Sequence, residues 1–238
     1  MPLRQRKLPK QIAPVDSWRV GTTHEHEGDT SIEYWENFYR DREQIWSRSP
    51  NPLLVREVTG LIPGAALDLG CGEGADAVWL ASRGWRVTAV DVSATALGRA
   101  AELAVRDGVA ERIDWQRHDL AETFPAGSFE LVSAQFFHSP VARGGEREKV
   151  LRLAADAVAP GGTLLIVGHA EWPSWVRAGE EPRRDIHFPT NREVLDALQL
   201  PQGDWRVEVD ESVLRELTGP DGLPATRRDC VLRLHRIH

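Results

Sequence analysis

Apolar and polar positions along the chain follow two alternating periods from residue 65 onward. Short apolar runs bounded by glycine and polar clusters lie at 65–70, 86–91, 112–117, 129–135 and 163–168. They are too short for helices and read as strands. Between them, apolar residues recur every three to four positions. One such stretch runs from Gly74 to Arg83 and stops at Gly84, a residue suited to the left-handed position after a helix. Ser93 is placed to cap a second, with Leu97, Ala100, Ala101 and Ala104 on one face and Gly108 at its end. Val150, Leu153, Ala154, Ala157 and Val158 form the buried stripe of a third, broken by Pro160-Gly161-Gly162. Strands alternating with helices predict a parallel sheet covered on both faces.

The alternation is interrupted after Gly168. Residues 170–190, rich in Trp, Pro, Arg and Glu, read as a long loop, and loops of that length are functional or disordered. Asn191 is placed to cap a helix to 198. Trp205–Leu214 and Asp229–Ile237 then read as strands, with Gly219-Pro-Asp-Gly222 between them, which favours an antiparallel pair. At the other end, residues 1–30 lack periodicity and predict a mobile tail, basic at Arg4, Arg6, Lys7 and Lys10. His24 and His26 in that tail do not amount to a metal site, and no metal is expected. Residues 31–60 predict a helical segment whose aromatic face either packs on the core or serves as a lid. Ser31 is the expected N-cap, Tyr34, Trp35, Phe38 and Tyr39 share one face, and Asn51-Pro52 starts a second short helix.

Composition narrows the class. The 238 residues suit one domain, here residues 61–238, with the lid and tail before it. A net charge of −7 argues against a general nucleic-acid surface. No apolar run is long enough for a membrane span, and no secretory apolar region follows the start. Cys71 and Cys230 do not make a disulfide framework. The expectation is a cytoplasmic protein, monomer or homodimer, without membrane or nucleic-acid partners.

The richest chemistry lies in Ala66-Leu-Asp-Leu-Gly-Cys-Gly-Glu-Gly-Ala-Asp76, followed by Val87-Thr-Ala-Val-Asp91. This reads as a strand, a glycine turn, a helix and a second strand ending in a carboxylate. Gly70, Gly72 and Gly74 let a ligand approach the backbone. The turn opens onto a helix N-terminus, and Asp91 lies about 20 residues on, where a ribose diol is bound in nucleotide folds. Gly70-x-Gly72-x-x-Ala75 also meets the relaxed dinucleotide pattern, so an NAD-dependent oxidoreductase is one alternative. Asp68 and Glu73 tilt the choice, since carboxylates repel a pyrophosphate and suit a cationic ligand such as S-adenosylmethionine.

The segment Leu67-Asp-Leu-Gly-Cys-Gly-Glu-Gly74 resembles the first motif of class I S-adenosylmethionine-dependent methyltransferases. His118-Asp-Leu120, Ser128-Phe-Glu-Leu-Val-Ser-Ala-Gln135 and Ala159-Pro-Gly-Gly-Thr-Leu-Leu-Ile-Val167 match later motifs in order. Glu130 stands where an aspartate is more usual. Tyr34-Trp-Glu-Asn-Phe-Tyr39, Trp46, Asn51-Pro52 and Gly72–Ala77 are similar to the small bacterial tellurite-resistance and thiopurine methyltransferases. The resemblance implies a Rossmann-like α/β sandwich, with a seven-stranded, mostly parallel sheet ending in a C-terminal antiparallel hairpin and helices on both faces.

It also implies roles. Asp91 would accept from the ribose hydroxyls, with Val92 beside it. Asp68 would orient the methionine ammonium above Gly70, Cys71, Gly72 and Gly74. Asp119 would meet the adenine amino group, with Leu120 against the base, and the backbone at Ala134 and Gln135 would line the methionine moiety. Trp35, Tyr39, Trp46, His138 and His169 are the expected substrate residues. His138, just beyond the fourth strand, is the leading candidate base, ahead of His169 and His187. Trp172 and Trp175 with Arg177, Arg183 and Arg184 would make a rim for an anionic or aromatic substrate, or simply a solvated mixed-charge loop. The implied acceptor is a small molecule, with a thiol or chalcogen suggested by the subgroup. An O- or N-methyltransferase with a histidine base is the alternative, and a non-catalytic S-adenosylmethionine sensor stands further back.

Overall fold

The computed structural model describes residues 30–177 and 186–238, with the backbone of 11–12. His24, His26, Arg183 and Arg184, and nearly all of the tail expectation, lie outside the described residues.

Helix α1 (Ser31–Arg40) is capped by Thr30, not Ser31. The Thr30 hydroxyl accepts from Glu33 N at 3.2 Å, and the Glu33 carboxylate accepts from Thr30 N at 3.0 Å. A glutamate three residues beyond the cap closes this reciprocal box, and only Thr30 has one. Helix α2 (Pro52–Val58) starts as expected, with Asn51 Oδ1 accepting from Leu53 N at 3.0 Å and proline at the first position.

Among the described residues the sheet has eight strands. They are β1 (Gln11–Ile12), β2 (Ala65–Leu69), β3 (Arg86–Asp91), β4 (Ile113–Arg117), β5 (Phe129–Gln135), β6 (Val158–His169), β7 (Trp205–Thr218) and β8 (Pro224–Arg236). Their order is β1-β7-β8-β6-β5-β2-β3-β4. β8 runs antiparallel to both β6 and β7, and β2 to β6 pair in parallel. The seven expected strands are therefore present, with the two-residue β1 added beside Leu217 and Thr218 at the edge.

Helices α3 (Ala75–Ser82), α4 (Ala94–Arg106), α5 (Glu146–Asp156) and α6 (Asn191–Leu198) complete the fold. Alternate strand residues serve separate cores on the two faces. Leu67 and Leu69 pack with Val150, Leu151 and Leu234, whereas Ala66 packs with Leu53, Leu80 and Trp85.

Four boundaries differ from the sequence expectation. Helix α5 ends at Asp156, so Val158 belongs to β6, not to the helical stripe. Pro160-Gly161-Gly162 lies inside β6 as an irregularity, between the pairs Phe129–Val158 and Leu131–Thr163. Proline has no N–H to offer the ladder, so the strand bulges there. The hairpin strands are longer than expected and close through Gly219 N donating to Leu223 O at 2.8 Å. Finally, Thr190 caps α6, again with a glutamate (Glu193) three residues on. Asn191 instead donates Nδ2–H to Asp210 Oδ1 and Val231 O, both at 2.8 Å, and so pins α6 to the hairpin.

Gly74 is the point where the glycine turn packs closest. Its φ is +81°, and a Cβ there would lie 2.6 Å from Ala100 Cβ and 3.1 Å from its Cα. Strain and overpacking should make Gly74→Ala cost about 1–3 kcal/mol in urea unfolding. Wild-type stability in that variant would show that the turn and α4 are not packed as described.

Candidate functional site

A cavity of about 620 Å³ opens along the carboxyl ends of the parallel strands. Its size is ordinary for a small-molecule or cofactor site, and its place is the usual one in open α/β sheets. The glycine turn forms one wall. Gly70, Gly72 and Gly74 all have positive φ, and Cys71 N donates to Val90 O at 2.9 Å. A Cβ on Gly72 would stand 2.9 Å from the Tyr39 hydroxyl, so this wall is closely shaped.

Three carboxylates gather here. Asp91, at the end of β3, accepts from Gly72 N and Ser93 N, each at 2.9 Å. Asp76 accepts from Asn51 N. Asp68 is 2% exposed, and among the described residues its Oδ2 has no hydrogen-bond partner. Burial pushes the Asp68 carboxyl well up, and the charges of Asp76 and Asp91 add to this. Burial also raises Asp76 to about 6, against the Asn51 amide, and raises Asp91 despite the Ser93 and Gly72 amides. Three acids held against their ionisation and one orphaned oxygen fit a cationic ligand. The S-adenosylmethionine ammonium has that chemistry.

The lid is fastened to this wall by side chains. Glu36 of α1 accepts from the Ser93 hydroxyl at 2.8 Å and from Thr95. Glu73 accepts from Ile45 N and Trp46 N and pairs with Arg99 at 2.9 Å. Glu73 also lines the cavity, but its carboxylate is engaged by Arg99 and two lid amides, which weakens its pull on a cationic ligand. Asn51 donates to Gln135 Oε1 at 2.7 Å. Trp35 donates to the Ser139 hydroxyl at 3.1 Å, and Trp46 to the Tyr39 hydroxyl at 3.0 Å. All three expected lid aromatics line the cavity.

The remaining expected residues fall as follows. Val92, Asp119, Leu120, Gln135, His138, His169 and His187 line the same cavity. Asp119 Oδ1 also accepts from Ala121 N at 3.2 Å, so it shapes its own turn. Ala134 does not line the cavity. It is fully buried between Leu69 and Ile166 in the sheet, because its side chain points into the core. Trp172 lines the cavity and meets Phe188 edge-on at 5.2 Å. Trp175 and the exposed Arg177 do not line it. His187 Nε2 contacts Glu193 Oε1 at 3.1 Å at the surface.

A second cluster, on the opposite side of the cavity, joins the expected His169 to Arg215, Arg227 and Asp229, which the sequence reading did not single out. Asp229 on β8 is wholly buried and stands 2.6 Å from Arg215 Nε, 3.1 Å from Arg227 Nε and 2.9 Å from His169 Nδ1. Burial holds His169 down at about 3 despite its bond to Asp229, and the charge of Arg227 adds to this. His169 is therefore neutral at physiological pH, and its Nδ1–H donates to a carboxylate already paired with two arginines. It stacks on Phe136 at 4.3 Å. Phe136 has φ 51°, a strained conformation for a non-glycine residue at the end of β5. His138 is 5.8 Å from His169. Its side chain is exposed, and its pKa is lowered by desolvation in the surrounding pocket, with the charges of Arg147 and Arg227 adding to this.

Comparison with known proteins agrees with this geometry. Residues 66–162 match a family profile described as a methyltransferase domain. The ribosomal RNA small subunit methyltransferase C of Alcanivorax borkumensis is 37% identical over 114 residues, covering 47% of this chain and 34% of that protein. The chain thus spans about a third of the length of that relative. The 2-heptyl-1-hydroxyquinolin-4(1H)-one methyltransferase of Mycobacteroides abscessus is 30% identical over 146 residues, 56% of this chain and 62% of that one. Among solved structures, the N-methyltransferase NodS of Bradyrhizobium japonicum, in complex with S-adenosyl-L-homocysteine, superposes with a TM-score of 0.61 at 19% identity. It covers 88% of this chain and 100% of that one. Residues 66–162 thus resemble a methyltransferase domain, and the fold is shared with a methyltransferase solved in complex with S-adenosyl-L-homocysteine.

Proposed function

We propose that this protein transfers a methyl group from S-adenosylmethionine to a small-molecule acceptor. The observation that carries the reading is the orphaned, buried Asp68 oxygen in a cavity whose other half is an aromatic pocket. Asp68 would hold the methionine ammonium, Asp91 the ribose hydroxyls, and Asp119 the adenine amino group with Leu120 against the base. Gly70, Cys71, Gly72, Gly74, Val92 and Gln135 would shape that half. S-adenosylmethionine supplies an electrophilic methyl on a sulfonium, and with it the leaving group. The chain's own part is to align the acceptor and exclude water, which the lid formed by residues 31–60 would do through Trp35, Tyr39 and Trp46.

The relative from Mycobacteroides abscessus is named for an aromatic small molecule, and the aromatic walls here suit one. A thiol or chalcogenide acceptor, as the resemblance of the lid and glycine turn implies, needs no base. A hydroxyl or amine acceptor would pass its proton to His138, whose pKa is lowered and which lines the cavity. The second reading is ribosomal RNA, favoured by the 37% identity to the rRNA enzyme. The net charge of −7 weighs against it.

The test is calorimetric titration with S-adenosylmethionine, S-adenosylhomocysteine and NADH, followed by a homocysteine-release screen with thiol, selenide, phenol, amine and 16S rRNA acceptors. Micromolar binding of the first two ligands and turnover on a small acceptor are expected. Binding of NADH alone would overturn the cofactor assignment, and turnover on rRNA alone would overturn the acceptor class.

A further inference from the structure

Charge is segregated along the cavity. Asp68 and Asp91 end β2 and β3, with Asp76 beside them. At the β6–β8 end stand Arg215 and Arg227, which face each other across the hairpin register. Among the described residues the carboxylate of Asp229 is the one ion-pair partner of both, while His169 is neutral. Arg147 of α5 supplies another positive charge. Its Nε–H donates to Phe137 O at 2.9 Å, and among the described residues no carboxylate pairs with it. The two other acids lining this end, Glu146 and Glu171, accept from the Arg143 and Arg228 amides, and among the described residues neither forms an ion pair with Arg147, Arg215 or Arg227.

The wall between these charges is flat and aromatic. The guanidinium carbons of Arg215 and Arg227 each lie 5.7 Å from the Phe136 ring centroid, and His169 stacks on that ring. Arg215 also reaches toward Asn51 Oδ1 on the cofactor side, at 3.4 Å. Arg227 has no such contact and acts on both His138 and His169. Guanidinium groups with one shared carboxylate beside stacked rings suit an anion that is itself planar.

From this juxtaposition we propose that the β6–β8 end of the cavity is an acceptor subsite for a planar aromatic anion, its ionised oxygen held by Arg227 and Arg147 and its ring beside Phe136 and His169. The word acceptor rests on the methyl-transfer reading above, whereas the anion site does not. Where the ionised oxygen is the nucleophile, its lone pair forms the bond to the methyl carbon. The carbon–sulfur pair then leaves with sulfur, the two opposite charges cancel, and no proton has to move.

The experiment titrates the full chain, saturated with S-adenosylhomocysteine, with 2-naphthoate and with its neutral isostere 2-naphthamide. The carboxylate should bind about tenfold tighter or more, the scale of a charge-assisted hydrogen bond. In Arg227→Gln the preference should fall to near unity while S-adenosylhomocysteine affinity stays within about threefold. Equal binding of acid and amide by the wild-type protein overturns the proposal without any variant. So does a loss of S-adenosylhomocysteine affinity in Arg227→Gln, which would put that guanidinium on the cofactor carboxylate. Should S-adenosylhomocysteine not bind at all, the methyl-transfer reading falls, and the same naphthoate titration on the free protein still decides the anion site.

Discussion

Asp91→Ala should weaken S-adenosylhomocysteine binding roughly 10- to 150-fold, or about 1.5–3 kcal/mol, the range for hydrogen bonds to a charged acceptor. The argument has two parts. The carboxylate stands at the end of β3, where the proposed ribose diol would lie, and it already organises the turn by accepting from Gly72 N and Ser93 N. Removing it therefore also orphans two buried amides, one of them at the residue that caps α4. Thermal stability should fall together with affinity, so alanine alone does not separate the two roles. Asp91→Asn does, because its amide oxygen still accepts one of the two backbone bonds while the charge is gone. Most of the affinity should be lost with a smaller drop in Tm. Wild-type affinity in Asp91→Asn would mean that the residue only shapes the turn and that the ribose lies elsewhere.

The parallel half of the fold was legible because its signals are local. Glycine turns, short apolar runs and helical stripes each report on a few neighbouring residues, and β2 through β5 fall within a residue or so of expectation. Errors came where local signals compete. Thr30-Ser31 and Thr190-Asn191 each offer two capping residues, and a glutamate three positions on selects the first. Pro160-Gly161-Gly162 looks like a helix stop, yet it is a bulge that only the pairing with β5 reveals. The cofactor half of the site was similarly readable, since its residues sit in one motif and at strand ends. The partners of Glu73 were not readable, because Arg99 and the lid amides that satisfy it are distant in sequence. The arginine cluster was missed for the same reason. Arg215, Arg227 and Asp229 look like ordinary polar positions of two hairpin strands, and only their register with His169 brings them together. Asp229 ending up inside could have been suspected from the carboxylate's place in Arg227-Arg-Asp229, before a run of apolar residues, but nothing local names its partners.

That buried carboxylate has the largest expected effect on stability. Asp229→Ala should cost about 3–5 kcal/mol, because it leaves Arg215 and Arg227 in the interior without a counter-charge. For a chain of this size the loss corresponds to roughly 6–20 °C in Tm. The pair is not argued to be worth that much in itself, since an apolar replacement of the whole cluster can be neutral. The cost comes from the charges left behind. Two measurements separate these ideas. First, adding Arg227→Met to Asp229→Ala should recover part of the lost Tm, because one orphan charge is removed. Further loss in the double variant would mean that the cluster acts through packing instead. Second, the wild-type protein should lose stability in acid. Burial opposes ionisation of Asp229, but the His169 bond and the charges of Arg227 and Arg215 outweigh it and hold the carboxyl below its ordinary range. A depressed carboxylate stabilises the fold above its unfolded pKa of about 4, and that contribution disappears as pH falls through the lower folded value. The acid-induced fall in Tm between about pH 4 and pH 2 should therefore be shallower in Asp229→Ala than in wild type, and identical slopes would show that Asp229 is not the group being titrated.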